Sequence, residues 1–338
     1  MTEGFRSTGL FEPVAAVEQD RMAAATYVEN FGDHLYLGDV ADWVEGSLPA
    51  AEVVVGGPPC QGFSLLGRRD PDDPRNAMWR HYVSAVVRIR PAFFVIENVP
   101  QFLRSQEYEG LVRETSSDGE LHRYAIESHI LNARDYGVAQ SRKRAIIIGR
   151  LRELFEVGPP PTLPGMVLGD VFPTWLDPRV GPTEPPWRTT VHHDAPVPGS
   201  YSVRDLHFAP LASPLALARY RSVPPGGSRF DLPNDLKTPG WRKNARGAGD
   251  VLGRLRWEKP AVTIRTEFFK PEKGRFLHPT EDRPITHAEA ALIQGFPESF
   301  RWCGTKAAIA RQIGNAVPVP LARSLANHIA DRFTVGTR

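Results

Sequence analysis

Three residues with reactive or ionisable side chains follow short apolar runs. Glu18 comes after Pro13–Val17, Cys60 after Ala51–Val55, and Glu97 after Ala92–Ile96. An apolar run without polar alternation reads as a strand buried on both faces, and the carboxyl edge of a parallel sheet is where ligands bind. Cys60 is held off its run by Gly56-Gly57-Pro58-Pro59. The two prolines stiffen that approach and remove two backbone donors. A cysteine so placed is either a small buried hydrophobe or an exposed, positioned nucleophile. Glu97-Asn98 is likewise either a strand-end turn or a positioned acid.

The elements that must hold these residues can be read from periodicity. Pro13–Val17, His34–Leu37, Ala51–Val55, Ala92–Ile96 and Ala145–Ile148 read as strands, and Arg21–Phe31 and Asn76–Ile89 as helices. Strands without polar alternation, separated by helices, indicate an α/β fold: a doubly wound, mostly parallel sheet covered on both faces. From Gly158 to Gly240 prolines are frequent and helical spacing is poor except around Leu211–Arg221, which reads as a second, loop-rich body. Order returns with Pro260–Arg265 and helices at His287–Gln294 and Pro320–Asp331. The expected division is 1–157, 158–250 and 251–338, the last part completing the second body and returning to the first.

Composition narrows the class. Of 338 residues, 41% are hydrophobic and 24% charged, which excludes a disordered or fibrous chain. No apolar run approaches the roughly 18–20 residues of a bilayer span, and the opening MTEGFRSTGLFEP is not a secretory signal. Two cysteines, Cys60 and Cys303, cannot build a disulfide framework or a cysteine-rich zinc site. A reducing, cytoplasmic setting without a metal or membrane is the expectation. Of the 41 basic residues, 34 are arginine. Tyr201–Thr280 holds 15 basic against 7 acidic residues, a net +8 that leaves −6 for the remainder of a chain whose total is +2. Such asymmetry fits one face turned to a polyanion, and arginine suits phosphate forks and guanine edges.

Around these residues lie Gly57-Pro58-Pro59-Cys60-Gln61-Gly62-Phe63-Ser64, Phe94-Val95-Ile96-Glu97-Asn98-Val99-Pro100, Gln140-Ser141-Arg142-Lys143-Arg144 and Arg311-Gln312-Ile313-Gly314-Asn315-Ala316-Val317-Pro318. This ordered set resembles the DNA (cytosine-5)-methyltransferase family. Gly253–Phe300, with Thr263-Ile264-Arg265 and Gln294-Gly295-Phe296-Pro297, resembles the segment before that family's last helix. The resemblance covers nearly the whole chain apart from its middle.

The resemblance implies methyl transfer from S-adenosyl-L-methionine to carbon 5 of cytosine in double-stranded DNA, in a restriction-modification setting. It casts Cys60 as the nucleophile adding to carbon 6 and Glu97 as the acid acting on ring nitrogen 3. Arg142 would hold the base oxygen and help fix Glu97, and Arg144 would serve structure or touch DNA. Glu18 would accept hydrogen bonds from the ribose hydroxyls, Asp39 would contact the adenine amino group, and Pro59 and Asn315 would lie at the cofactor. Ser64 would lie at the DNA. The middle, about Gly158 to Asp250, would be the target-recognition domain, with Arg219, Arg221, Arg229, Arg242 and Arg246 as candidates for phosphate or guanine contacts once the base has left the duplex.

The family opens with a strand and a Phe-x-Gly-x-Gly turn. Here Gly4-Phe5-Arg6-Ser7-Thr8-Gly9 resembles the helix after that turn, followed directly by Glu12–Glu18. A truncated gene, a misassigned start, a second chain supplying the missing piece, or a decayed copy would each give this pattern. The alternative function is therefore a DNA-binding fragment that lacks catalysis or depends on a partner. An RNA-directed relative is a third reading, which the long arginine-rich middle disfavours. No Gly-x-Gly-x-x-Gly follows a strand, against a nicotinamide dehydrogenase.

Overall fold

The structure, a computed structural model, describes residues 1–58, 78–177, 180–243 and 247–335. Its first half alternates α1 (Thr2–Arg6), β1 (Ala16–Glu18), α2 (Arg21–Phe31), β2 (Leu35–Leu37), α3 (Val40–Glu45), β3 (Val53–Gly56), α4 (Met78–Ile89), β4 (Phe93–Asn98), α5 (Gln106–Glu114), β5 (Tyr124–Asn132) and β6 (Lys143–Leu151). There follow α6 (Leu168–Val171), a hairpin of β7 (Thr189–His192) and β8 (Ala195–Pro198), α7 (Pro214–Arg221), α8 (Pro239–Lys243), α9 (His287–Ile293), α10 (Lys306–Asn315) and α11 (Val319–Val335).

The order of the main sheet is β3-β4-β6-β5, and β4 is its most deeply buried strand. The apolar run Phe93–Ile96 is fully buried because both faces are covered. Phe93 and Val95 pack with Ile146, Ile148, Phe5 and the Leu321, Leu325 and Ile329 stripe of α11. Phe94 and Ile96 face the other way, onto Ile147, Leu111 and the Trp79, Val83 and Val86 stripe of α4. Stripes at spacings of three, four and eight residues are those of amphipathic helices laid against a sheet. Gly149, on β6, has no side chain because the Phe94 ring occupies the space a Cβ would need.

β3 and β4 run parallel, Val53 opposite Phe93, and β1 and β2 form a separate parallel pair with Ala16 opposite Leu35. The strand expected at Ala145–Ile148 is part of β6, but it runs antiparallel to β4 and to β5. The reason is β5, which periodicity missed: it carries Glu127 and His129 within its span, and most of its residues are only partly covered. The ten residues between β5 and β6 are fewer than a parallel crossover needs, so the chain folds straight back.

The largest apolar cluster joins Leu168–Phe208 to residues 255–319, including α9 and α10. The second body is thus built from the first part of the middle segment together with the chain that follows it. A smaller cluster of Tyr220, Val223, Leu232, Leu252 and Leu277 closes its outer part. α11 returns to the sheet, where Gly4 of α1 comes so close to Ala322 that no side chain would fit.

Candidate active site

The carboxyl ends of β3 and β4 meet at Gly57 and Glu97. A Cβ on Gly57 would lie 3.3 Å from Glu97 Oε2. Asn98 fixes this junction: its side-chain amide donates to the Pro58 carbonyl (3.3 Å) and its oxygen accepts from the Val99 amide (2.8 Å). The segment that leads to Cys60 is thereby tied to the strand that carries Glu97. Cys60, Pro59, Ser64 and Arg246 lie outside the described residues.

Glu97 pairs with Arg144, whose Nε is 2.7 Å from Oε1, both side chains being largely buried. The contact lies off the hydrogen-bond direction, and Oε1 has no well-directed donor among the described residues. Arg142, expected beside Glu97, does something else. It is 2% exposed, and its Nη1 donates to the carbonyls of Ile264 and Gly314, each at 3.0 Å. Burial, with the neighbouring Arg144 charge, pushes its pKa down to about 9, against the pull of Glu97. The guanidinium is therefore still charged at neutral pH and ties β6 to the Ile264 segment and to α10.

Gln140 extends this brace. Its amide donates to Gln294 Oε1 (2.8 Å), its oxygen accepts from the Ile264 amide (2.9 Å), and Gln294 donates to the Ile313 carbonyl (2.6 Å). Both glutamines are fully buried. They were visible as motif members, but their pairing across 154 residues carries no sequence signal. Gly314 completes the junction: a Cβ there would lie 2.5 Å from the Thr266 nitrogen.

A cavity of about 820 Å³ opens beside these strand ends, with Glu18, Gln19, Gly38, Val40, Gly57 and Pro58 among its lining residues. The Glu18 carboxyl accepts from the Asp20 amide (2.9 Å), and burial raises its pKa. Asp39 caps α3 through the Ala41 amide (2.9 Å), while Asn315 is exposed at the end of α10; neither lines the cavity. The chemistry of the mouth, a carboxylate beside backbone amides at strand ends, fits a polar ligand with hydroxyl donors. Cys303, the second thiol, is fully buried, and burial pushes its pKa up to about 12. It is a poor nucleophile.

Among the expected DNA-contacting arginines, Arg219 is folded inward. It lies over the Trp241 ring (5.2 Å) and donates to the Leu236 carbonyl (2.9 Å). Arg229 is buried and donates to the Ala248 carbonyl. Arg242 is exposed and donates to the Asn234 carbonyl, and Arg221 is exposed with a 3.4 Å ion pair to Asp282.

Residues 1–164 and 233–331 match the C-5 cytosine-specific DNA methylase family. The chain belongs to that family, and it is a DNA cytosine methyltransferase by class. Among curated relatives it is 31% identical to the Type II methyltransferase M1.HphI of Haemophilus parahaemolyticus, over 96% of this chain and 82% of that one. It is 30% identical to M.XorII of Xanthomonas oryzae pv. oryzae, over 96% and 81%. Its fold is shared with an E. coli prophage protein assigned as a DNA modification methyltransferase (TM-score 0.69, 23% identity, 98% and 96% covered). The S. pombe Dnmt2 methyltransferase shares it too (TM-score 0.60, 16% identity, 99% and 96% covered). No helix among the described residues is long and apolar enough to cross a membrane.

Proposed function

We propose that this chain methylates carbon 5 of cytosine within a specific double-stranded DNA sequence, with S-adenosylmethionine as donor and Cys60 as nucleophile. The observation that carries the reading is the Glu97–Arg144 pair at the end of β4, with the Gly57-Pro58 approach to Cys60 tied to it through Asn98. When bound, S-adenosylmethionine supplies an electrophilic methyl group, and Glu18 is the residue suited to its ribose hydroxyls. The Cys60 thiolate adds to carbon 6 of an extruded cytosine and makes carbon 5 nucleophilic. Glu97 holds or supplies the proton at ring nitrogen 3, which draws electrons from carbon 6, and its under-directed Oε1 leaves a position for that ring. Arg144 keeps Glu97 oriented and is the arginine placed to meet the base oxygen. After methylation, loss of the carbon 5 proton and departure of the thiolate restore the ring.

The Type II methyltransferases among its relatives support a restriction-modification role. A duplex carrying 5-fluorocytosine in the target should trap a covalent adduct, because fluorine cannot leave in the elimination step. Cys60→Ser should abolish the adduct while Cys303→Ser leaves it. An adduct that depends on Cys303 would refute the site.

A further inference from the structure

The β7–β8 hairpin turns its polar face inward. Its turn residues, His193 and Asp194, both lie in the left-handed region (φ 47° and 58°), the turn whose twist matches two paired strands. The register is thereby fixed, with His192 opposite Ala195 and Thr190 opposite Val197. Side chains alternate along a strand, and here Val191 is 68% exposed while Thr190 and His192 are half-buried. The apolar residue meets solvent and the polar pair meets α2.

What the pair meets there is an acid and a thiol. Glu29 Oε1 lies 2.9 Å from His192 Nε2 and 3.5 Å from Thr190 Oγ1, which is itself 3.4 Å from the ring nitrogen. Cys303 comes in from the loop ahead of α10. One ligand atom from each of Glu29, His192 and Cys303 falls within 4.8 Å of the other two. The Cys303 backbone is held in place: its amide donates to Thr26 Oγ1 (2.8 Å) and its carbonyl accepts from the Gln312 side chain (3.0 Å). The next amide, of Gly304, donates to the Pro198 carbonyl of the hairpin (2.6 Å). Three segments far apart in sequence thus bring a carboxylate, an imidazole and a thiol to one point.

We propose that Glu29, His192 and Cys303 bind a thiophilic divalent cation, zinc, which pins the hairpin to α2. Sulfur and imidazole select zinc over magnesium or calcium, which take oxygen ligands. Zinc bonds of about 2.0–2.3 Å set ligand atoms roughly 3.3–3.6 Å apart on a tetrahedron, so side-chain rotations of about an ångström bring all three onto one ion. Charge balances as well. As the metal–sulfur bond forms, the Cys303 thiol gives its proton to solvent. The thiolate and the Glu29 carboxylate then offset the two charges of the ion, and His192 coordinates as the neutral ring. A neutral centre suits a largely buried position. An ion pair between Glu29 and His192 uses two of these groups; the metal uses all three and leaves a fourth position, beside Thr190 Oγ1, for water. Ala23 and Tyr27, one turn apart on α2, line the large cavity, and none of the three ligands does. The ion therefore steadies a wall of that cavity from outside it. The inference does not depend on the methyl-transfer reading.

Cobalt and zinc titrations of the reduced, chelator-treated chain test this. Cobalt should occupy one site per chain, with sulfur-to-metal charge-transfer absorption and the visible bands of a tetrahedral ion, and zinc should displace it. Cys303→Ala should remove the sulfur absorption. His192→Gln should weaken zinc by more than about 100-fold, above the roughly 10–100-fold scale of a lost outer partner. Zinc should raise the melting temperature of the parent and not of His192→Gln. Cys60→Ser should keep both the absorption and the affinity. In that variant Cys303 is the one remaining thiol, so its absorption identifies the ligand even if Cys303→Ala does not fold. Absorption that disappears with Cys60, cobalt bound without sulfur, or equal zinc affinity in the parent and His192→Gln would overturn the site.

Discussion

Arg142 and Arg144 stand two residues apart and were expected in the opposite places. Both were legible as members of one motif, but sequence spacing could not say which of them reaches the carboxylate and which is swallowed by the junction with α10. Their variants should separate cleanly. Arg144→Lys keeps the charge but loses the planar fork, so turnover should fall about 10²–10⁴-fold, the scale of a positioned acid group, with thermal stability unchanged. Arg142→Met leaves the carbonyls of Ile264 and Gly314 without their donor. Buried unsatisfied groups cost about 1–3 kcal/mol each, so this variant should show a lowered urea midpoint before any loss of chemistry. Single-turnover rates beside denaturation curves distinguish the two. Glu18 and Glu97 stand out in the sequence because ionisable residues follow apolar runs, and the structure sets both at strand ends; the pairing of Gln140 with Gln294 is not legible, since a buried amide pair looks like two ordinary polar residues.

At the scale of elements, the helical spacing of Met22, Ala25 and Val28 gives α2 its ends, and in the structure the Asp20 side chain caps it by accepting from the Met22 and Ala23 amides. β5 was invisible because its partly covered, charge-bearing span lacks a long apolar run. The junction of α10 with the Ile264 segment depends on Gly314, whose missing Cβ admits the Thr266 backbone. Gly314→Ala forces backbone apart and should cost about 1–3 kcal/mol, the scale of overpacking; chemical denaturation measures it. α9 is likewise set among buried polar groups. Glu289 is paired with Arg283 at 2.6 Å, and the neighbouring His278 accepts the Glu281 amide on Nδ1 (3.0 Å), so it is held neutral. Burial lowers the pKa of both His278 and His287 from 6.5 to about 4. The unfolded chain then binds protons that the folded one refuses, so stability should be full above pH 6.5 and fall as pH drops toward 4. Each histidine contributes a slope of up to about 1.4 kcal/mol per pH unit in that window. Urea midpoints between pH 4.5 and 7 should fall less steeply for His287→Gln than for the parent.

For the whole molecule, the +8 segment from Tyr201 to Thr280 should make DNA binding steeply salt-dependent, with a log–log slope of about −0.9 for each phosphate contact. Arg221→Gln should flatten that slope by about one contact, because the side chain is exposed. Arg219→Gln should instead leave the slope and lower the melting temperature, because its guanidinium is spent on Trp241 and the Leu236 carbonyl. Charge asymmetry located the lobe, but it could not tell solvent-facing arginines from those folded into it. The place of α11 has a further consequence, in the order of synthesis. Phe93, Val95, Ile146 and Ile148 wait for Leu321, Leu325 and Ile329 to cover them, and about 170 residues separate the end of β6 from the start of α11. At roughly 5–20 residues per second, a ribosome holds that apolar face open for about 10–30 s while the second body is made. The first domain to be translated is therefore among the last to close, and its apolar face stays open to other chains or chaperones for the interval.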